Sequence, residues 1–176
     1  MTSIALFRGI NVGGRSLPMK ELVEECESLG LENVRTYIQS GNVVFETSRA
    51  PARALAGRLA DAVRARRGFR PEILILRADD LAAVVRENPF PKAVSDPKTL
   101  HAFFLAKAAA PADLVALEKL RAGRERFELT TRAFYLHAPD GFGTSKLAAR
   151  VEHHLGVPAT ARNWRTVMKL AEMSGV

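Results

Sequence analysis

Within the first 77 residues, four short apolar runs and two helix-length amphipathic stretches follow one another in the order strand, helix, strand, strand, helix, strand. The runs lie at residues 4–7, 34–38, 43–45 and 73–76 and are rich in Ile, Val, Leu and Phe. Crossover rules leave this order few solutions, of which the split βαβ or ferredoxin-like arrangement is the common one. In that arrangement the first two strands run parallel, and the third is inserted antiparallel between them.

The intervening stretches support this reading. Leu22, Val23, Cys26 and Leu29 recur at helical spacing, with Pro18 in the first turn and Gly30 as the stop signal. Leu55, Leu59 and Val63 mark the second helix. It lies inside a basic stretch, residues 49–70, in which Arg49, Arg53, Arg64 and Arg67 fall within about 60° of one another around the axis. Nothing aromatic interleaves these arginines to stack bases, so a solvated helix face is the plainer reading and a nucleic-acid surface the sharper one.

Beyond residue 78 the pattern mixes the same ingredients. Asp79 or Asp80 is expected to cap a short helix bearing Leu81, Val84 and Val85, which Asn88-Pro89 ends. Residues 88–99 hold three prolines and no period, so a loop is expected there, long enough to be a linker or a lid. A strand at 101–106, a helix opened by Pro111 with Leu114, Leu117 and Leu120, and a hairpin of 127–129 with 133–137 come next. Two helices close the pattern. One runs from Thr144-Ser145 through Leu147, Val151 and Leu155 to Gly156, and the other starts near Asn163 with Trp164, Val167, Met168 and Ala171 facing inward. No exact internal repeat is visible. The fold class expected is α+β, with a ferredoxin-like βαββαβ subdomain over 1–78 and a smaller C-terminal α+β subdomain over 79–176, packed together as one compact unit.

Bulk properties narrow the function classes. No apolar run reaches the roughly 20 residues that span a bilayer, and the strand pattern begins almost at the first residue, leaving no room for a signal peptide, so a cytoplasmic location away from membranes is expected. The single cysteine forms no internal disulfide and agrees with a reducing compartment. A formal net charge of +7 invites an anionic partner, either a phosphate-containing small molecule or nucleic acid. With 19 Arg against 7 Lys and abundant Ala, the charge also fits a genomic composition bias.

If the first two strands are parallel, the loop leaving the first and the turn leaving the second share one end of the sheet. Arg8, Asn11, Gly13 and Gly14 are then expected to face Gln39, Ser40 and Asn42. Glycine lets a backbone approach a ligand closely, and free N–H groups favour anions, so the pair of turns reads as a small cradle to which Lys20 at the helix start adds positive potential. Two further segments have the same flavour. Ser145 and Lys146 end the peptide Gly141-Phe-Gly-Thr-Ser-Lys146, and Arg162 and Asn163 lie within Thr160-Ala-Arg-Asn-Trp-Arg-Thr166. In each case turn-making or helix capping is the alternative reading.

Four peptides together carry a resemblance: Arg8-Gly-Ile-Asn-Val-Gly-Gly14, Tyr37-Ile-Gln-Ser-Gly-Asn42, the Ser145-Lys146 pair and Thr160-Ala-Arg-Asn-Trp-Arg-Thr166. The chain resembles the bacterial domain-of-unknown-function 1697 family nearly end to end. The resemblance implies a ferredoxin-like N-terminal part followed by a smaller α+β part, and it implies no activity, substrate or catalytic residue.

Chemistry by elimination points to binding. Cys26 shares the apolar face of its helix, and His153 and His154 are adjacent and diverge by about 100°, so neither a thiol nucleophile nor metal-ligand spacing stands out. Glu24, Glu25 and Glu27 are expected to be solvated. The chain lacks the glycine-lysine-serine/threonine order of a P-loop, and no cofactor or metal is expected. Arg, Lys, Ser and Asn remain, a set suited to gripping an oxyanion. A transferase using Ser40 or Ser145 as nucleophile with Lys146 as a charge clamp is the enzymatic alternative, and a polar seam between the two halves or a dimer surface the structural one.

Overall fold

The computed structural model describes residues 1–48, 52–109 and 111–176. Contacts divide the chain into two units, the first comprising 1–82 with 169–176 and the second 83–168. Among the described residues, no helix is long and apolar enough to cross a membrane.

The first unit has the ferredoxin-like order. β1 (Thr2–Arg8), α1 (Met19–Ser28), β2 (Glu32–Tyr37), β3 (Asn42–Glu46), α2 (Ala52–Arg67) and β4 (Glu72–Arg77) build one sheet in the order β2-β3-β1-β4. β3 is antiparallel to both β1 and β2, so those two run in the same direction, and Asn42 is level with Leu6 on one side and Tyr37 on the other. Alternation along β1 and β3 sends Ala5, Phe7, Val43 and Phe45 to one face, where they pack with Leu22 and Cys26 of α1 and Leu55, Leu59 and Val63 of α2. Each helix thus presents residues at i, i+4 spacing to the pleat. At about 1.5–3 kcal/mol per fully buried aliphatic or aromatic side chain, this layer dominates the unit's stability.

α3 (Ala78–Arg86) follows β4 directly, so Asp79 and Asp80 fall inside its first turn and do not cap it. The second unit then repeats the topology. β5 (Leu100–Leu105), α4 (Leu114–Leu120), β6 (Arg126–Leu129), β7 (Ala133–His137), α5 (Val151–Leu155) and β8 (Ala159–Asn163) make a second four-stranded sheet in the order β6-β7-β5-β8, followed by α6 (Trp164–Ser174). Strand for strand this matches β2-β3-β1-β4. The chain is therefore a tandem of two split βαβ units, although no exact sequence repeat marks it. Phe103, Leu105, Phe134 and Leu136 face Leu117, Leu147, Val151 and Leu155 in the second core.

Further local expectations are corrected. Residues 159–163 form β8, paired antiparallel with β5, where only a helix start was expected; five ladder partners on β5 override the weak strand preference of Ala and Asn. The helix expected from Thr144 begins later, with a 3-10 turn over Ala148–Arg150 before α5. The proline-rich loop contains a 3-10 turn, Pro91–Ser95. β2 also ends at Tyr37, one residue short of Ile38.

Candidate functional site

The parallel run of β1 and β2 delivers the expected juxtaposition in the first unit. The Asn11 amide nitrogen donates to the Gln39 carbonyl at 2.7 Å and to the Leu17 carbonyl at 3.0 Å, while its Oδ1 accepts from the Leu17 amide at 2.8 Å. The Phe7 amide donates to the Gly41 carbonyl at 2.8 Å. Loop 9–16 and turn 38–41 are thereby stitched at one sheet end. Asn42 is fully buried and donates to the Tyr37 carbonyl and to Ser40 Oγ. Asn11 and Asn42 thus hold the backbone of the site, and their side-chain amides are occupied in doing so.

The loop itself is unusual in its dihedrals. Gly9, Asn11, Gly13 and Gly14 all have positive φ, and so does Ile38 at 52°. For a β-branched residue this is a strained conformation, and Ile38 is half exposed. Sequence reasoning placed Ile38 in a strand because its residue type says strand; no local signal marked the reversal. Gly13 and Gly14 are exposed, and neither has a hydrogen bond among the described residues. Gly41 is required sterically, since a Cβ there would sit 2.5 Å from Ile10 Cδ1 and 2.6 Å from Phe7 Cβ.

Charge around this end is positive but partly spent. Arg8 pairs with Glu72 at 2.9 Å, and Arg15 and Lys20 are exposed. α1 begins at Met19 after Pro18 with no side-chain cap on its first amides, and Glu21 is the acidic residue of its first turn. Along α2 the basic face is smaller than expected. Arg67 grips Glu21 with two bonds, and Arg66 pairs with Glu24 and Glu25 at 2.7 and 2.9 Å, so those two acids clamp α1 to α2 where solvation was expected. Arg49 lies outside the described residues.

The remaining four expected residues lie in the second unit and have local roles. Ser145 Oγ accepts from the Ala148 amide at 3.0 Å, opening the 3-10 turn, and Lys146 beside it is exposed. Asn163 Oδ1 accepts from the Thr166 amide at 2.9 Å and caps α6. Arg162, on β8, donates to the Ala161 carbonyl. Trp164 is buried.

Nucleophile and metal readings find little support in the side-chain environments. Cys26 is fully buried, and burial, with Glu25 and Glu27 adding to it, pushes its thiol up to about 12. His101 is buried, stacked on Phe142 with ring centroids 3.7 Å apart, and desolvation lowers its pKa to about 4. No group of three or more His, Cys, Asp or Glu that could hold a metal occurs among the described residues.

One feature was missed entirely. The second unit contains a cavity of about 630 Å³ among residues 89–99, Arg124, His137 and Pro139, and none of the expected site residues lines it. Its only sequence signal is the aperiodic Pro-Phe-Pro peptide at 89–91.

With this geometry established, the chain can be placed among known proteins. It belongs to the family described as Protein of unknown function (DUF1697), whose model matches residues 1–135. Among solved structures it is similar to a conserved bacterial protein from Streptococcus pneumoniae, with 26% sequence identity, a TM-score of 0.69, and coverage of 99% of this chain and 98% of that one. No curated protein matches the chain.

Proposed function

We propose that this protein is an anion-binding module whose ligand is a small phosphate-bearing molecule, a nucleotide or phosphorylated metabolite, held by the two glycine-polar turns of the first unit. The observation that carries this reading is the Asn11–Gln39 bridge at 2.7 Å, which fixes two turns against each other while the adjacent Gly13 and Gly14 amides stay uncommitted. A rigid frame around free N–H donors is what a phosphate requires, because donors that need no reordering lose the least entropy on binding. The strained Ile38 backbone supports the same site, since such outliers concentrate where geometry serves a ligand. Arg15 and Lys20, both exposed, supply the favourable potential. The pairing of Arg66 and Arg67 with α1 acids leaves α2 a poor track for a nucleic-acid backbone, which favours the small ligand.

The test is a titration of the full chain with inorganic phosphate, a panel of nucleotides and a short RNA, read by thermal unfolding and amide shifts. A bound nucleotide raises the melting temperature and moves the Gly13, Gly14 and Gln39 amides saturably. RNA binding stronger than any nucleotide would replace the small-molecule reading, and silence across the panel would end it.

A further inference from the structure

The geometry points to a second small-molecule site, in the second unit, taking a planar ring that carries a carboxylate or phosphate. The cavity of about 630 Å³ falls in the middle of the range that small-ligand sites occupy. It is formed in advance of any ligand. Its proline-rich wall is closed by successive main-chain bonds, Ala93 to Phe90, Asp96 to Ala93 and Thr99 to Asp96, and is tied down by Ala138 to Thr99 at 2.8 Å and Trp164 to Pro97 at 3.1 Å. Pro89, Pro91 and Pro97 remove backbone freedom from the same wall, so a ligand need not order it. A loop readable from sequence as a linker or lid is thus a fixed side of a pocket.

The lining specifies the ligand's two parts. Phe90 and His137 present rings whose centroids are 6.1 Å apart at 37°, and with Pro139 they give flat apolar surface suited to a planar ring. Lys92 and Arg124 supply two cations against the single lining carboxylate of Asp96. Arg124 is steadied by Asp140, which takes one Nη2 bond at 2.5 Å and leaves most of the guanidinium fork for an anion. Asp96 stands as an acceptor for a ring N–H or hydroxyl. This site uses none of the glycine-loop residues, so the two readings stand or fall separately.

The experiment is a set of amide-shift titrations on the isotopically labelled full chain with benzoate, phenyl phosphate, benzyl alcohol and inorganic phosphate. Benzoate and phenyl phosphate move the Phe90, Ala93 and His137 amides saturably, benzyl alcohol binds about tenfold more weakly for want of the charge, and inorganic phosphate leaves these amides unmoved. Phe90→Ala abolishes the benzoate response, and Arg124→Met erases the preference for benzoate over benzyl alcohol. Equal responses to inorganic phosphate and phenyl phosphate would reduce the site to an adventitious ion on surface cations. Equal responses to benzoate and benzyl alcohol, or none from the Phe90 region to any probe, would overturn the proposal with the unsubstituted protein alone.

Discussion

The side chain of Asn11 reaches the main-chain carbonyl of Gln39 at 2.7 Å across 28 residues of sequence, while both of its polar atoms also bond the main chain of Leu17. One amide therefore fixes the exit of β1 and the exit of β2 together. Asn11→Ala should cost about 2–3 kcal/mol, because it leaves a Leu17 amide and two carbonyls without their partner. Asn11→Gly should recover at most about 1 kcal/mol of that, by accepting the left-handed φ of 54°. Denaturant unfolding of the two variants separates hydrogen bonding from backbone strain.

Ile38 carries the opposite signature. Its φ of 52° is unfavourable for a β-branched side chain, and its side chain is half exposed, so little packing is lost on replacement. Ile38→Asn should stabilise the protein by about 1 kcal/mol, read as a higher unfolding midpoint at unchanged slope. A loss of stability would show that the Ile38 side chain packs more than its exposure implies.

Gly41 tolerates no side chain. A Cβ would fall 2.5 Å from Ile10 Cδ1 and 2.6 Å from Phe7 Cβ at a φ of 77°, so Gly41→Ala should cost about 2–4 kcal/mol. Gly14→Ala, with nothing within 4 Å of the new atom, should cost only the dihedral penalty, about 1 kcal/mol. Thermal unfolding of the pair tests whether sterics or conformation dominates at each turn.

His101 makes stability depend on pH in a defined window. Burial against Phe142 lowers its pKa from 6.5 to about 4. Between those values the unfolded chain takes up a proton that the folded chain refuses, so the unfolded state binds more protons and stability falls as pH drops from 6.5 towards 4. The contribution is complete above 6.5 and amounts to on the order of 3 kcal/mol. Unfolding midpoints for the native protein and His101→Phe across that range should diverge, with the variant showing the flatter profile.

Cys26 should be silent towards thiol reagents in the folded protein, since its side chain is fully buried and its thiol is pushed up to about 12. Labelling rates should rise in step with the unfolded fraction as denaturant is added. Fast labelling of the native state would place the thiol in an exposed position.

Legibility in the sequence followed periodicity. The first unit was readable because its strands are dense in Val, Ile, Leu and Phe and its helices keep i, i+4 apolar spacing, and from those two signals the meeting of 8–14 with 39–42 follows by topology. The second unit was only partly readable. β8 is spelled Ala-Thr-Ala-Arg-Asn, which has little intrinsic strand preference, so its pairing with β5 and hence the matching strand order of the two sheets stayed hidden. The cavity was invisible for another reason: its wall is set by proline dihedrals and main-chain bonds, which leave no hydrophobic rhythm. The charge on α2 misled in part, because helical spacing cannot show that Glu21, Glu24 and Glu25 sit on the neighbouring helix within reach of Arg66 and Arg67.

Residues 169–176, the last turns of α6, group with the first unit, where Arg35 donates to the Met173 carbonyl at 2.6 Å. The first unit is therefore discontinuous in sequence, assembled from 1–82 and 169–176, so cutting the chain before residue 169 would take from it the Met173 carbonyl that Arg35 holds 138 positions away.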